Sequence, residues 1–502
     1  MKIKLLLLVL FGFGLHVNAQ DINDALRFGR EDLLGTARFT GMGGAFSSLG
    51  GDLSALRLNP AGSSVFATNH TSLTLNLGVI NNDVSFTDGF TEDSDTTFDL
   101  NQAGVVMVYA ANSDKAVVSK YAYGFTYDQV ANMDDRYVAF GNSNQSIDQF
   151  FLNSANGIPL DLLEPFPGES ISDLYNFLGS DQGVAAQNAL LGYQSYIIDA
   201  VDPDDFNQTD YVSGISPGSF LNDYYIIEDG YNGRFSFNAS IELKKRFYFG
   251  LNLNAHYYEY DRFTSYRESN NNPESQVTSL VFENRLRTRA SAFSFQLGSI
   301  VKITNQLRGA VSYQSPTWYV VSDETSQFIT TENTVIGTAI IDPRVVNIFP
   351  DYNFRVPHKW VGGLSYVFGR SGLLSVDYTI QDFSNSEFTT NAPSLELVNQ
   401  QINDELTQVS TLNVGGEYVF KRFKFRGGYF LQGSSFEDED VRSELEGFSF
   451  GLGYTIGNTS IDLAYTRSTL DRNDFLYDTG LSNLALVESN ITNIFLTFAF
   501  GF

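Results

Sequence analysis

The stretch Arg234-Phe235-Ser236-Phe237-Asn238-Ala239-Ser240-Ile241-Glu242-Leu243 alternates without a break: Phe235, Phe237, Ala239, Ile241 and Leu243 share one side, and the polar residues share the other. Successive side chains of a β-strand point to opposite faces, so this segment has one apolar and one polar surface. After Lys244-Lys245 the pattern resumes, with Phe247, Phe249, Leu251, Leu253, Ala255 and Tyr257 opposing Tyr248, Gly250, Asn252, Asn254, His256 and Tyr258. Long alternation with aromatics near the ends fits strands that meet lipid outside and a polar lumen inside. The last segment repeats it, placing Ile494, Leu496, Phe498, Phe500 and Phe502 opposite Phe495, Thr497, Ala499 and Gly501.

Extending the pattern along the chain predicts about fourteen strands, near 70–80, 101–110, 119–129, 232–243, 246–262, 285–302, 306–322, 354–368, 373–385, 408–420, 423–433, 447–456, 459–469 and 490–502. Short connections (Ala111 to Val118, Lys244-Lys245, Ile303 to Asn305, Gly369 to Gly372, Lys421-Arg422, Gly457-Asn458) alternate with long ones. That rhythm describes an all-β, transmembrane antiparallel barrel with short periplasmic turns and both termini in the periplasm. Soluble antiparallel sheets also alternate, but they seldom keep this regular asymmetry.

The N-terminus predicts export. Lys2 and Lys4 precede an apolar run from Leu5 to Leu15, and Val17-Asn18-Ala19 offers a small-residue cleavage site, the order of a signal peptide over 1–19. No later segment is long and apolar enough for a membrane helix, so a spanning structure has to be a closed barrel. With 43 Gly, 43 Phe, 27 Tyr and no Cys, strand formers abound and thiolate metal or redox chemistry is excluded. A net charge of −27 argues against a nucleic-acid partner, which needs clustered Lys and Arg. Only His70, His256 and His358 follow the signal segment, and neither Gly-x-Ser-x-Gly nor His-Glu-x-x-His occurs, so an enzyme is not expected. A hydrolase built on His256 is the one arrangement left open. Acidic groups such as Asp202, Asp204 and Asp205, or Glu437 to Asp440, lack EF-hand spacing and read as solvated charge, so neither metal nor cofactor is expected.

The segment before the first strand does not alternate. It reads Gly35-Thr36-Ala37-Arg38-Phe39-Thr40-Gly41-Met42-Gly43-Gly44-Ala45-Phe46, then Gly51-Asp52-Leu53-Ser54-Ala55-Leu56-Arg57-Leu58-Asn59-Pro60-Ala61-Gly62. Glycines allow close packing, Asp52 can cap a short helix, and Pro60 cannot continue it. The expected division is therefore a compact plug over 20–68 and a barrel over 69–502, with a long external loop at about 130–230.

Gly41-Met42-Gly43-Gly44-Ala45 followed by Asp52, Ala55 and Asn59-Pro60-Ala61-Gly62 resembles the hatch signature of the FadL-like family of outer-membrane long-chain fatty-acid and hydrocarbon transporters. Val356-Pro357-His358-Lys359-Trp360-Val361-Gly362-Gly363-Leu364-Ser365-Tyr366 is similar to that family's proline-led strand. Asp377-Tyr378, Asp382-Phe383, Gly415-Gly416-Glu417-Tyr418 and Arg426-Gly427-Gly428-Tyr429 also fit. The resemblance implies a monomer in the bacterial outer membrane, contacting its lipid and passing hydrophobic small molecules without a cofactor. It implies gating by a hatch containing Gly43, Gly44, Asp52, Asn59, Pro60, Ala61 and Gly62, and sideways release through a wall break beside the third strand. Gly124 is the candidate kink there, with ordinary barrel packing the alternative. The resemblance extends to relatives of this barrel type that serve protein secretion or surface attachment, so an interaction protein is the alternative function.

A bound carboxylate needs a lumenal cation, for which Arg287, Arg289 and Arg426 are the candidates, against a simple pairing of these with Asp377, Glu417 or Asp462. Arg287 and Arg289 sit opposite Leu286, Thr288 and Ala290, and the apolar phase then changes to Phe293, Phe295 and Leu297, which suggests a bulge. Between Gln129 and Gly230 there are 16 acidic residues and one base, Arg136. Phe150, Phe151, Leu160, Leu163, Phe166, Leu174 and Phe177 in that region are candidates for an external apolar groove, or else for the packing of a lid.

Overall fold

The structure, a computed structural model, describes residues 21–502 apart from 114, 115, 391 and 478; the signal peptide expected at 1–19 lies outside the described residues. Fourteen antiparallel strands close into one barrel. They are β1 His70–Phe86, β2 Gly89–Ala110, β3 Val118–Asn132, β4 Phe220–Leu243, β5 Phe247–Ser269, β6 Val277–Lys302, β7 Leu307–Gln314 resuming as Thr317–Asn333, and β8 Tyr352–Val356 resuming as Lys359–Val367. The ring continues through β9 Gly372–Asp382, β10 Gln408–Phe420, β11 Phe423–Gln432, β12 Leu445–Ile456, β13 Thr459–Phe475 and β14 Leu484–Gly501. Each strand pairs with its neighbour in sequence, and β14 returns to β1 in one register from His70↔Gly501 to Phe86↔Ala485, so no edge remains unpaired.

The alternation in the sequence becomes an outside and an inside. Phe235, Phe237, Leu251, Leu253, Phe293 and Leu297 are exposed on the outer face, whereas Ser236, Asn238, Asn252, Asn254 and Gln296 are buried inward. Inward amides bond across strands, Asn238 Nδ2 to Asn252 Oδ1 at 2.7 Å and Asn252 Nδ2 to Gln296 Oε1 at 3.0 Å. This satisfies the wall's polar groups away from bulk water.

Several strands run past the lengths expected of them. β1 and β2 meet in a hairpin at Thr87-Asp88, so 81–100 is no loop, and β5 and β6 continue to Ser269 and Val277. Along β1 the extension reverses the pattern, with Val84 and Phe86 buried inward and Asn81, Asp83 and Ser85 facing out, and in β5 and β6 Tyr266 and Phe282 are buried inward, so the apolar-outward signal stops while the backbone ladder continues. The region at 130–230 is likewise not one loop. A strand over Asp135–Ser143 pairs with the start of β4, and helices α3 Asp148–Ala155, α4 Ile171–Asp181 and α5 Val184–Gln194 follow.

Residues 21–69 precede β1. They form α1 Ile22–Gly29, opened by an Asp21 capping box, the short α2 Ala37–Thr40, and 3₁₀ turns at Ser54–Arg57 and Pro60–Val65. This segment hydrogen-bonds to inward side chains of strands around the whole ring, among them Asn101 of β2, Asn238 of β4, Gln296 of β6, Asp377 of β9, Ser449 of β12 and Thr497 of β14. It therefore lies inside the barrel.

Candidate ligand path through the barrel

The inward face of β5 marks successive levels from the short-turn end to the long-loop end. Tyr248 packs on Ala61, and Asn252 donates to Leu56 O at 2.8 Å. Tyr258 and Tyr260 then join an aromatic cluster, and Tyr266 joins the core beneath the loop helices. At a rise of about 3.3 Å per residue, these levels are spread over roughly 60 Å measured along the tilted strand.

At the lowest level the N-terminal segment is held by side-chain amides and a carboxylate that bond to backbone groups. Asn59 is fully buried; its Nδ2 donates to Ser47 O and Ser299 O, both at 3.0 Å, and its Oδ1 accepts from Ala61 N at 3.1 Å. Asn238 Nδ2 donates to Pro60 O at 2.9 Å. Asp52 Oδ1 accepts from Thr36 Oγ1 at 2.7 Å and from Ser54 N at 2.9 Å, tying the two glycine-rich stretches together. Gly43 and Gly44 have φ of 61° and 79°, values that favour glycine, and present Gly43 O to Asn413 Nδ2 at 2.6 Å. Gly62 packs on Gly50, where a Cβ would come within 3.2 Å of Cα.

The wall is cut to match. A Cβ on Gly298 would collide with Asn59, one on Gly250 with Pro60 and Ala61, and one on Gly415 or Gly428 with Met42 and Gly43. The motif glycines of β10 and β11 are thus the counterpart of the N-terminal ones.

Above this level, Phe28 of α1 fills an aromatic cage, with ring centroids of Tyr258, Tyr319 and Phe354 at 4.9, 5.1 and 5.4 Å. Phe383, Phe388 and Ile402 complete the cluster. Between the cage and the lowest level lies a charged layer. Glu31 pairs with Lys359 at 2.6 Å and faces Arg57 at 3.9 Å. Burial pushes the Glu31 carboxyl up, but Lys359, Arg57 and Arg234 outweigh it and hold it down at about 2. Arg234, opposite Asp128 on β3 and His256 on β5, is buried, and its Nε and Nη2 have no hydrogen-bond partner among the described residues. It sits one inward position below Asn232, which donates to the cage hydroxyl of Tyr319 at 3.2 Å.

The long-loop mouth is covered by α3, α4 and α5. Phe150, Phe151, Leu160, Leu163 and Leu174 are buried against Phe86, Tyr224, Tyr266 and Phe282 of the strands, in the manner of a packed lid, while Phe166 and Phe177 are 71% and 47% exposed.

Three expectations are corrected. Arg287 and Arg289 do not face the lumen: Thr288 between them is buried and takes the inward place, and the two arginines lie outside, facing Asp261, Glu259 and Glu324. Odd residues of β6 face outward from Arg285 to Val301, so there is no phase change within β6, which pairs with β5 continuously. The irregularity belongs to its partner β7, broken at Ser315-Pro316. Gly124 pairs in register on both sides, and the shifts in β3 fall instead between Val118 and Lys120 and between Gln129 and Ala131. Gly124 faces inward, where a Cβ would lie 3.2 Å from Val106 and 3.6 Å from Leu56. At the second shift Val130 O accepts from Asp32 N at 2.9 Å, so the N-terminal segment docks on the wall's irregular point.

Arg426 does face inward, but Glu417 at 2.7 Å and Asp462 at 2.6 Å already pair with it. His256 Nε2 lies 3.1 Å from Ser294 Oγ, and its Nδ1 has no partner among the described residues, so no carboxylate orients the ring as a catalytic base requires. Phe28, Tyr319, Phe354 and Arg234 were not singled out in the sequence; only the inward parity of Arg234 was legible there.

No family model and no curated protein matches the chain. Among solved structures it is similar to a FadL homologue of Pseudomonas aeruginosa, at 13% identity and a TM-score of 0.57, covering 94% of this chain and 100% of that one. It is also similar to the toluene transporter TodX of Pseudomonas putida, at 13% identity and a TM-score of 0.54, covering 94% and 99%. At such identity the likeness establishes a shared barrel fold.

Proposed function

We propose that this chain is a bacterial outer-membrane transporter for hydrophobic small molecules, with long-chain fatty acids as the substrate class. The observation that carries the reading is the aromatic cluster around Phe28, set directly above the buried guanidinium of Arg234, whose Nε and Nη2 have no hydrogen-bond partner among the described residues. A water-filled pore gains nothing from such a lining, whereas a greasy solute does. Each buried methylene is worth about 0.8 kcal/mol, so a sixteen-carbon chain resists a purely aqueous path by roughly 12 kcal/mol. A carboxylate at the end of that chain would meet Arg234, whose charge-assisted hydrogen bonds are unused.

In this reading residues 20–68 are a hatch over the exit, with both termini periplasmic and the barrel working as a monomer. Ligand entering beneath the loop helices displaces Phe28 and α1, and the hatch loosens from the wall. Sideways release then uses the shift at Val130, which Asp32 occupies in the closed state. The similarity of fold to a FadL homologue and to a toluene transporter supports this reading.

The test is uptake of labelled oleate and labelled toluene by cells whose only barrel of this type is this protein. Expected are oleate uptake above the empty-cell background and a changed rate in the Asn59→Ala, Pro60→Ala variant. Background-level uptake of both solutes by folded, membrane-inserted protein overturns the proposal; toluene uptake alone retains transport and removes the fatty acid.

A further inference from the structure

The lipid-facing side carries a feature that the ligand path does not use. Tyr366, Leu374, Gly416, Gly427, Phe450 and Tyr465 are lateral neighbours in one outward row across β8 to β13. Two adjacent glycines interrupt a belt of bulky side chains; Leu374 leans over Gly416, 2.9 Å from a Cβ built there, and a groove of about 440 Å³ remains, bounded by Leu374, Tyr418 and Phe425 and running down to Phe368 and Ser371 at the short-turn rim. A side chain at 427 has room, the nearest atom to its Cβ being Ser449 O at 4.0 Å.

The two short turns beside the groove carry three exposed cations, Arg370, Lys421 and Arg422. Their turns are adjacent, since Val419 N donates to Ser371 O at 2.8 Å. Lys421 leans over the Phe420 ring at 5.3 Å, and neither Arg370 nor Arg422 has an ion pair among the described residues. The wider rim shares this charge. The described residues of its short turns include Lys244, Lys245, Arg246, Arg370, Lys421 and Arg422, in a chain whose net charge is −27.

We propose that this notch binds an anionic glycerophospholipid from the leaflet at the short-turn rim, one acyl chain lying over Gly427 beside Leu374 and the phosphate meeting Arg370, Lys421 and Arg422. An acyl chain matches the apolar groove, and the bare cations match the anionic head, each being worth more at a lipid surface than in solution. This binding is independent of what crosses the lumen.

The experiment is native mass spectrometry of the detergent-released barrel offered phosphatidylglycerol and phosphatidylcholine of equal chain length, with heat-modified gel migration reporting folding. Retention of phosphatidylglycerol is expected to exceed that of phosphatidylcholine about tenfold, the scale set by a few basic residues at a membrane surface. The Arg370→Gln, Lys421→Gln, Arg422→Gln variant brings the ratio near one, Gly427→Leu lowers retention of both lipids, and glycerol 3-phosphate fails to compete. Equal retention of the two lipids, retention untouched by either variant, full competition by glycerol phosphate, or a dimer that excludes lipid would each overturn the proposal.

Discussion

The side chain of Asn59 occupies the space that a Cβ on Gly298 would fill, and from there its amide reaches the carbonyl of Ser299, the next residue along β6. The N-terminal segment and the wall thus share a contact that depends on an asparagine on one side and a missing side chain on the other.

Gly298→Ala should therefore loosen the segment by about 1–3 kcal/mol, the usual cost of overpacking a tight site. Asn59→Ala should cost a similar amount through lost hydrogen bonds, but the double variant should cost less than the sum, because removing Asn59 relieves the collision. Hydrogen exchange over residues 35–66 in the four proteins measures this, and strict additivity would contradict the contact.

Arg234→Met should weaken oleate binding roughly ten- to a hundredfold, the worth of one or two charge-assisted hydrogen bonds, while leaving a neutral aromatic ligand nearly unaffected. Fluorescence titration with a carboxylate probe and its methyl ester separates the two. Equal loss for both probes would mean that Arg234 supports the fold and not the head group.

The Glu31 carboxyl is held at about 2 in the folded chain, below its ordinary value of 4.5. A depressed carboxylate stabilises the folded form above its unfolded pKa and loses that contribution as pH falls towards the folded one. Docking of the segment should thus weaken between about pH 4.5 and 2, by on the order of 3 kcal/mol at the limit. Limited proteolysis of residues 21–69 against pH should reveal this step, and Glu31→Gln should abolish it while weakening docking at neutral pH.

Arg426→Met leaves Asp462 buried without its partner and Glu417 with only Arg38, so it should cost about 3–5 kcal/mol. Arg287→Ala removes an exposed pair and should cost about 1 kcal/mol or less. Unfolding midpoints in detergent rank the two. Oleate uptake should be unchanged in Arg287→Ala, whose side chain lies outside the barrel.

The barrel was legible because its signal is local. The residues from Arg234 to Leu243 read as one strand with two faces, and every short turn foreseen at Lys244-Lys245, Lys421-Arg422 and Gly457-Asn458 joins the strands on either side of it. Strand ends were less legible. Extensions such as 81–86 and 263–269 turn Val84, Phe86 and Tyr266 inward beneath the loop helices, the reverse of the apolar-outward pattern by which the strands were read.

What the chain's order of residues determined by itself was the alternation, and with it strand number, closure and the inward parity of Arg234 and Arg426, because each strand must satisfy lipid and lumen residue by residue. Parity failed at Arg287 and Arg289, whose outward face is polar because those positions project beyond the apolar belt. Only the tertiary structure decided that Phe28 sits among Tyr258, Tyr319 and Phe354, that Glu31 meets Lys359, and that Asn59 fits over Gly298. Those contacts join residues hundreds of positions apart, and they exist because closing the ring brings distant inward faces around one short segment.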